Sequence, residues 1–116
     1  MAVARPERVL SKAAAARLHA FRSDVENALP GNVTQVVLFG SRARGDARKD
    51  SDYDVAVFLR ELAERRFIEH TLADAAYKHI LAGVHIRPIA LAADLLEARC
   101  KSALVEDIAR EGVVIP

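Results

Sequence analysis

The sequence predicts a mixed α/β (α+β) domain, because stretches with the period of a helix and stretches with the composition of a strand both occur along it. Apolar residues recur every three or four positions between Pro6 and Leu29 and again between Leu62 and Leu81, which indicates two helices with one apolar face each. Three short runs are rich in Val, Ile and Leu and are typical of strands: Val33–Phe39, Tyr53–Leu59 and Val84–Leu91. Shorter helical pieces follow toward the C-terminus.

Length and composition set broad bounds on the protein class. With 116 residues, the chain is expected to form a single domain over residues 1–116. A net charge of +1 gives no general attraction to nucleic acid or membranes, and no direct nucleic-acid binding is expected. The single cysteine, Cys100, excludes an internal disulfide and is typical of a reducing compartment. No apolar run approaches the roughly 20 residues of a membrane span, so a cytoplasmic protein is predicted.

Local signals refine the order of the elements. Proline suits a first helical turn, so the first helix is predicted to begin at Pro6, with Met1–Arg5 frayed. The run Tyr53–Leu59 is apolar on both faces beyond its acids, which favours a central strand. Pro88 has no N–H group, so the third strand is expected to lie at an edge of the sheet or to break there. Val113–Ile115 is expected to pair briefly or to pack on the core.

A Gly-Ser turn ends the first strand and carries the first sign of chemistry. Gly40 has no Cβ, so a phosphate can approach its backbone closely. If a helical turn begins at Ser41, its free N–H groups point at that anion, and the Ser41 hydroxyl adds a donor. Arg42 and Arg44 follow so closely that we expect at least one of them to contact phosphate. A Gly-Ser pair alone is more often an ordinary turn.

Two acids, Asp52 and Asp54, stand at the start of the second strand. Side chains alternate along a strand, so both carboxylates point to the same side, about 7 Å apart along the chain. Such a pair can converge on a hard cation such as Mg²⁺, which prefers oxygen ligands and often shares them with substrate phosphates. An isolated pair of this kind is usually a solvated strand end. Together with a phosphate-binding turn, however, it indicates phosphoryl or nucleotidyl transfer.

The combined motif, GSRARGDARKDSDYDV, resembles the signature of the polymerase-β-type nucleotidyltransferase superfamily. Ten residues separate Gly40-Ser41 from Asp52-x-Asp54, and the string is similar to that of the small prokaryotic branch, the minimal nucleotidyltransferases (MNT). The resemblance is densest over residues 33–59 and extends more weakly to GVHIRPIAL and LVEDIAREGVVI. It implies a small mixed sheet with helices mainly on one face.

The resemblance also implies roles for these residues. Gly40 and Ser41 would bind the triphosphate of ATP, while Asp52 and Asp54 would hold Mg²⁺. The pattern GSxARG supports a phosphate contact for Arg44. Members of the MNT branch are often antitoxins of HEPN-domain RNase toxins, which implies transfer of AMP to a hydroxyl of such a partner. That acceptor would be a tyrosine, and the partner would be encoded by an adjacent gene. The chain could also form a homo-oligomer.

One expected carboxylate is missing. Active members of the superfamily commonly carry a third acid on the third strand, where this chain offers His85 and Arg87. His85 lies at the position that best matches the third acid. A neutral imidazole can accept a proton near pH 7, so His85 is a candidate general base, but it is equally open to interpretation as a non-catalytic replacement.

Two rival functions therefore stand beside that of an adenylyltransferase antitoxin. The first is a binding module that neutralises its toxin by occlusion, in which case variants of the acids should still bind the toxin. The second is a subunit of an antibiotic-modifying nucleotidyltransferase with its acceptor site between protomers. That function predicts transfer to an aminoglycoside without any partner protein.

Overall fold

The computed structural model describes residues 9–116 and confirms the mixed α+β class. The elements, in chain order, are α1 (Lys12–Ala28), β1 (Val33–Phe39), α2 (Ser41–Arg44), β2 (Tyr53–Leu59), α3 (Arg65–Leu81), β3 (Ile86–Ala92), a 3-10 turn (Ala93–Leu96), α4 (Ala103–Glu111) and β4 (Val113–Val114). Within the described residues, no helix is both long enough and apolar enough to cross a membrane.

The strands form one four-stranded mixed sheet in the order β3-β2-β1-β4. β2 is parallel to β3 and antiparallel to β1, and β1 is also antiparallel to β4. The prediction that β2 is central is confirmed, as is the edge position of β3, where Pro88 needs no hydrogen-bond acceptor. Val113–Ile115 does pair, since β4 joins β1 and the Ile115 N–H group donates to the Val36 carbonyl.

Helices cover both faces of the sheet unequally, which agrees with the expectation of helices mainly on one face. The two long helices, α1 and α3, pack on one face and bury most of the core there. The shorter α4 and the 3-10 turn cover the other face. Residues of β2 divide between the faces by strand alternation, and Ala56 and Phe58 point to the α4 side. Asp54 has the same parity and lies on that side, at the beginning of the strand.

The helix starts differ from the predictions. Val9–Ser11 is not helical, and α1 begins at Lys12 because the Ser11 hydroxyl caps it by accepting from the Ala14 N–H group at 3.1 Å. The predicted start at Pro6 and the predicted frayed segment Met1–Arg5 lie outside the described residues. The second long helix begins at Arg65 rather than at Leu62.

A histidine is buried between the two long helices. His79 of α3 is 1 % exposed and packs edge-on against Phe21 of α1, with ring centroids 6.4 Å apart. Neither ring nitrogen has a hydrogen-bond partner among the described residues, and Nε2 lies 3.6 Å from Oδ2 of Asp24. Burial lowers the pKa of His79, and the positive charge of Lys78 lowers it further, so the neutral imidazole is the form that the core accommodates.

This burial predicts a loss of stability in mild acid. An unfolded histidine takes up a proton near pH 6.5, whereas folded His79 resists protonation, so the unfolded chain binds more protons below that pH. We expect the free energy of unfolding to fall as the pH is lowered from about 7 to about 5. Urea denaturation across this range should show a shallower fall in His79→Leu. His70→Gln, which changes an exposed histidine on the same helix, is the control and should keep the wild-type slope. Equal slopes in wild type and His79→Leu would contradict the prediction.

Candidate active site

The end of β1 and the start of β2 bring the two halves of the sequence motif together. In the antiparallel ladder, Phe39 lies opposite Asp54, so the Gly-Ser turn that follows Phe39 begins beside the acids. Gly40 has φ +78° and ψ −157°, a conformation that L side chains rarely adopt. A Cβ built on Gly40 would lie only 2.8 Å from Oδ2 of Asp54. The turn therefore needs glycine for two separate reasons, its backbone angles and its contact with the acid.

The single helical turn expected after the glycine is present as α2, Ser41–Arg44. The carbonyl of Gly40 accepts from the N–H groups of Ala43 and Arg44, which closes the turn. The N–H groups of Ser41 and Arg42 have no acceptor within the helix, as is general for first residues, and Gly40 offers no side-chain cap. The two backbone donors therefore belong to the residues that directly follow Gly40, the residue beside the Asp54 carboxylate, and this order suits a phosphate that shares a cation with that acid.

The two acids differ in exposure and share one partner. Asp54 is 19 % exposed and Asp52 is 45 % exposed. Nε of Arg87 donates to Oδ1 of Asp54 at 2.8 Å, and an Nη atom of Arg87 lies 3.7 Å from Oδ2 of Asp52. Arg87 is opposite Asp54 in the parallel β2–β3 ladder, so the strand register sets this contact. The hydrogen bond and charge of Asp54, with the charge of Asp52, raise the pKa of Arg87, which therefore stays a cation.

Arg87, rather than His85, thus occupies the place beside the acids. The His85 carbonyl accepts from the Tyr53 N–H group at 2.9 Å, which fixes its backbone next to the start of β2. The His85 side chain is exposed, and it makes no hydrogen bond or ion pair with either acid within the described residues. Its role as a base stays a prediction. The sequence placed Arg87 on the same side of the third strand as His85, because the two residues are two positions apart, but it gave Arg87 no role.

Arg42 and Arg44 both form hydrogen bonds with other groups of this chain. The guanidinium of Arg42 donates to the carbonyls of Ser51 and Lys49 at 3.0–3.2 Å and lies over the Tyr53 ring, 4.3 Å from its centroid. These contacts hold residues 45–52, which return the chain from α2 to the acids. Phosphate contacts for either arginine stay a prediction.

Arg44 makes two ion pairs in this structure, and both lie outside the acid pair. Nε lies 3.2 Å from Asp46, and an Nη atom lies 3.4 Å from Glu111 at the end of α4. The hydrogen bonds to these two acids raise the pKa of Arg44. Because the side chain is substantially exposed, these pairs contribute little to stability and can exchange for another anion.

The donor set around Asp52 and Asp54 suits one kind of cation. Within residues 9–116 no cluster of three or more His, Cys, Asp or Glu side chains could hold a metal ion by itself. Mg²⁺ does not require such a cluster, because it commonly binds through one or two carboxylates, waters and the phosphates of a substrate. The acid pair beside free backbone amides therefore fits Mg²⁺ carried by a phosphorylated substrate.

Comparison with known proteins identifies this arrangement. The profile of the family described as "Nucleotidyltransferase domain" matches residues 18–114, which is most of the chain. The chain belongs to this family. A protein of Methanocaldococcus jannaschii named "Putative protein adenylyltransferase" is 25 % identical over 95 residues, which cover 82 % of this chain and 91 % of the relative.

The fold agrees with the family assignment. A crystal structure described as "a putative nucleotidyltransferase from Sulfolobus solfataricus" superposes with a TM-score of 0.51 at 19 % identity. The superposition covers 94 % of this chain and 80 % of that one. At this identity the likeness concerns the fold alone. The nucleotidyltransferase domain thus contains the Gly-Ser turn and the acid pair that the sequence motif predicts.

A glycine comparison tests the contact between turn and acid in this nucleotidyltransferase domain. Gly31 has φ +74° and no atom within 4 Å of its added Cβ, so Gly31→Ala meets only the backbone penalty of about 1–2 kcal/mol. Gly40→Ala meets a larger backbone penalty, because φ +78° with ψ −157° is a region essentially confined to glycine, and it also displaces Asp54. We expect both variants to lose stability in urea denaturation, but only Gly40→Ala to weaken Mg²⁺–ATP binding, by about tenfold or more in calorimetric titration. Equal nucleotide affinities in the two variants would contradict the role of the contact.

Proposed function

We propose that this chain is a Mg²⁺-dependent protein adenylyltransferase that transfers AMP from ATP to a hydroxyl of a partner protein. The observation that carries the proposal is the contact between Gly40 and Asp54, which joins a phosphate-binding turn to a carboxylate pair. Membership of the nucleotidyltransferase family supports the reaction type. The name of the M. jannaschii relative, "Putative protein adenylyltransferase", supports a protein acceptor.

In such a transfer, different residues of the chain would bind the phosphates and the metal ion. The N–H groups of Ser41 and Arg42 bind phosphate oxygens, and Gly40 permits the close approach. Asp52 and Asp54 would hold Mg²⁺, which when bound supplies neutralisation of phosphate charge. The acceptor hydroxyl forms a bond to the α-phosphorus while the bond to the β-phosphate oxygen breaks and pyrophosphate leaves. The hydroxyl proton passes to a base or to water.

The partner proposed for this reaction is a HEPN-domain RNase toxin, with a tyrosine hydroxyl as the acceptor. This assignment rests on the similarity of the motif to the MNT branch, in which such pairs occur. Within the described residues the site is open at the sheet end, since Asp52 and Arg87 are both well exposed, so a protruding side chain of another protein can approach the acids. On this proposal the chain acts as an antitoxin in the cytoplasm.

Substitution of the acids tests the transfer. Removing a cation that stabilises the transferring phosphoryl group forfeits several kcal/mol, so we expect Asp52→Asn and Asp54→Asn each to slow AMP transfer by about 100-fold or more. The readout is intact mass spectrometry of the co-purified partner, in which each AMP unit adds a defined mass. Asp50→Asn removes the same charge from an exposed position of the same loop and should leave transfer unchanged. Retained transfer in the Asp52→Asn, Asp54→Asn double variant would reject the proposal.

His85→Gln tests the base. If His85 accepts the hydroxyl proton, the variant should slow transfer by about 100-fold or more, which is the usual contribution of a general base. The rate is followed by release of pyrophosphate. An unchanged rate would assign His85 no part in proton transfer.

One observation favours a second function, that of a binding module that neutralises its partner by occlusion. Arg87 pairs with Asp54 at 2.8 Å, on the strand where active superfamily members are expected to carry a third acid and this chain has none. In that case the double acid variant should bind the partner and suppress its RNase activity as well as wild type does, without any change in the partner's mass. Size-exclusion chromatography with an RNase assay separates the two functions.

A further inference from the structure

The acid pair already contains a positive charge supplied by the chain. Nε of Arg87 is 2.8 Å from Oδ1 of Asp54, and its Nη1 is 3.7 Å from Oδ2 of Asp52. One guanidinium therefore bridges both carboxylates from the neighbouring strand. The remaining oxygen of Asp54, Oδ2, faces the backbone of Gly40.

This guanidinium competes electrostatically with any metal ion that the same two carboxylates bind. Arg87 contacts one oxygen of each acid, and the other oxygen of each belongs to the same delocalised carboxylate charge. A divalent cation bound by both acids would therefore lie close to the guanidinium, and two cations at short distance repel each other. Metal binding by Asp52 and Asp54 is therefore stronger when Arg87 moves away from at least one of them.

Arg87 is well suited to move. It lies on the edge strand, its side chain is 67 % exposed, and no contact with another acid or with a backbone carbonyl holds it among the described residues. Exposed ion pairs of this kind are weak. A phosphate offers arginine a stronger alternative, because the planar guanidinium forms paired, charge-assisted hydrogen bonds with phosphate oxygens.

We propose that Arg87 is a switchable counter-ion that neutralises Asp52 and Asp54 in the empty site and transfers to a phosphate of the nucleotide when the metal–nucleotide complex binds. This inference rests on the proposed function, because it assigns a binding role at the same site. It makes the metal and the nucleotide cooperative ligands, since the nucleotide removes the charge that excludes the metal and also supplies oxygens that the two-acid site lacks. The chain then selects the metal–nucleotide complex over free metal.

The test measures binding rather than transfer. Mn²⁺ stands in for Mg²⁺ and is titrated by electron paramagnetic resonance, with and without α,β-methylene-ATP, which cannot release pyrophosphate. In Arg87→Ala we expect Mn²⁺ affinity without nucleotide to rise about threefold to fivefold, because a weak competitor is removed. We expect affinity for the nucleotide analogue at saturating Mn²⁺ to fall about tenfold, because a charge-assisted hydrogen bond to phosphate is lost. These opposite changes are the signature of the switch.

Matched variants separate this signature from general effects of charge. Arg87→Lys keeps the charge without the planar fork, so its Mn²⁺ affinity without nucleotide should stay near that of wild type while its affinity for the analogue falls partway. Arg48→Ala removes the same charge from an exposed side chain in the nearby loop and should change neither affinity. Asp52→Asn with Asp54→Asn should abolish Mn²⁺ binding and so locate the metal.

The outcomes also separate failure of this inference from failure of the proposed function. If wild type binds Mn²⁺ with the analogue but Arg87→Ala lowers both affinities or changes neither, Arg87 is a static ion pair and the inference is wrong. If wild type does not bind Mn²⁺ with the analogue, or if the double acid variant binds it equally well, the proposed metal site is wrong and the inference fails with it.

Discussion

The site depends on the close approach of the Gly40 backbone to the Asp54 carboxylate. Because β1 and β2 are antiparallel and Phe39 lies opposite Asp54, the chain leaves the sheet at Gly40 and re-enters it at the acids, at the same end. Thirteen residues lie between Gly40 and Asp54 in the chain, yet a Cβ added to Gly40 would lie 2.8 Å from the Asp54 carboxylate, so only a residue without a Cβ fits there. One ladder of backbone hydrogen bonds thus places the start of the α2 turn, with its free amides, at the same end of the sheet as the two carboxylates.

The positive charges near the site divide between maintaining the loop and facing the acids. Arg42 lies closest to the Gly-Ser turn in sequence, but its donors are directed to the carbonyls of Lys49 and Ser51, where they satisfy backbone groups of an otherwise irregular segment. The cation that does face the acids, Arg87, comes from another strand. The arginine nearest to the Gly-Ser turn in sequence, Arg42, therefore stabilises the loop. The arginine that contacts the two acids, Arg87, is placed there by the register of β2 and β3.

This difference explains how much of the structure the sequence could predict. Period and composition were sufficient for the helices and strands, and local chemistry placed Pro88 on an edge strand. The spacing of the two acids is compatible with their shared contact with Arg87. The partners of Arg87 and Arg44 were not predictable in this way. The contact of Arg87 depends on the parallel register of β2 and β3, and that of Arg44 with Glu111 joins residues far apart in the chain. Such contacts are fixed by the packing of the whole domain, which the hydrophobic periodicity of single elements does not predict.

The absence of a third carboxylate affects proton transfer more than metal binding. Mg²⁺ needs few protein ligands when a nucleotide brings its own oxygens, so on the proposed function Asp52 and Asp54 would be enough. A general base typically contributes about 10²–10⁴-fold, whereas correct orientation of the two reacting groups can contribute more than that. An acceptor hydroxyl held in line by a partner protein can then react without a strong base in the enzyme. On the proposed function, the distinction between an enzyme and a binding module therefore depends on how the acceptor is presented.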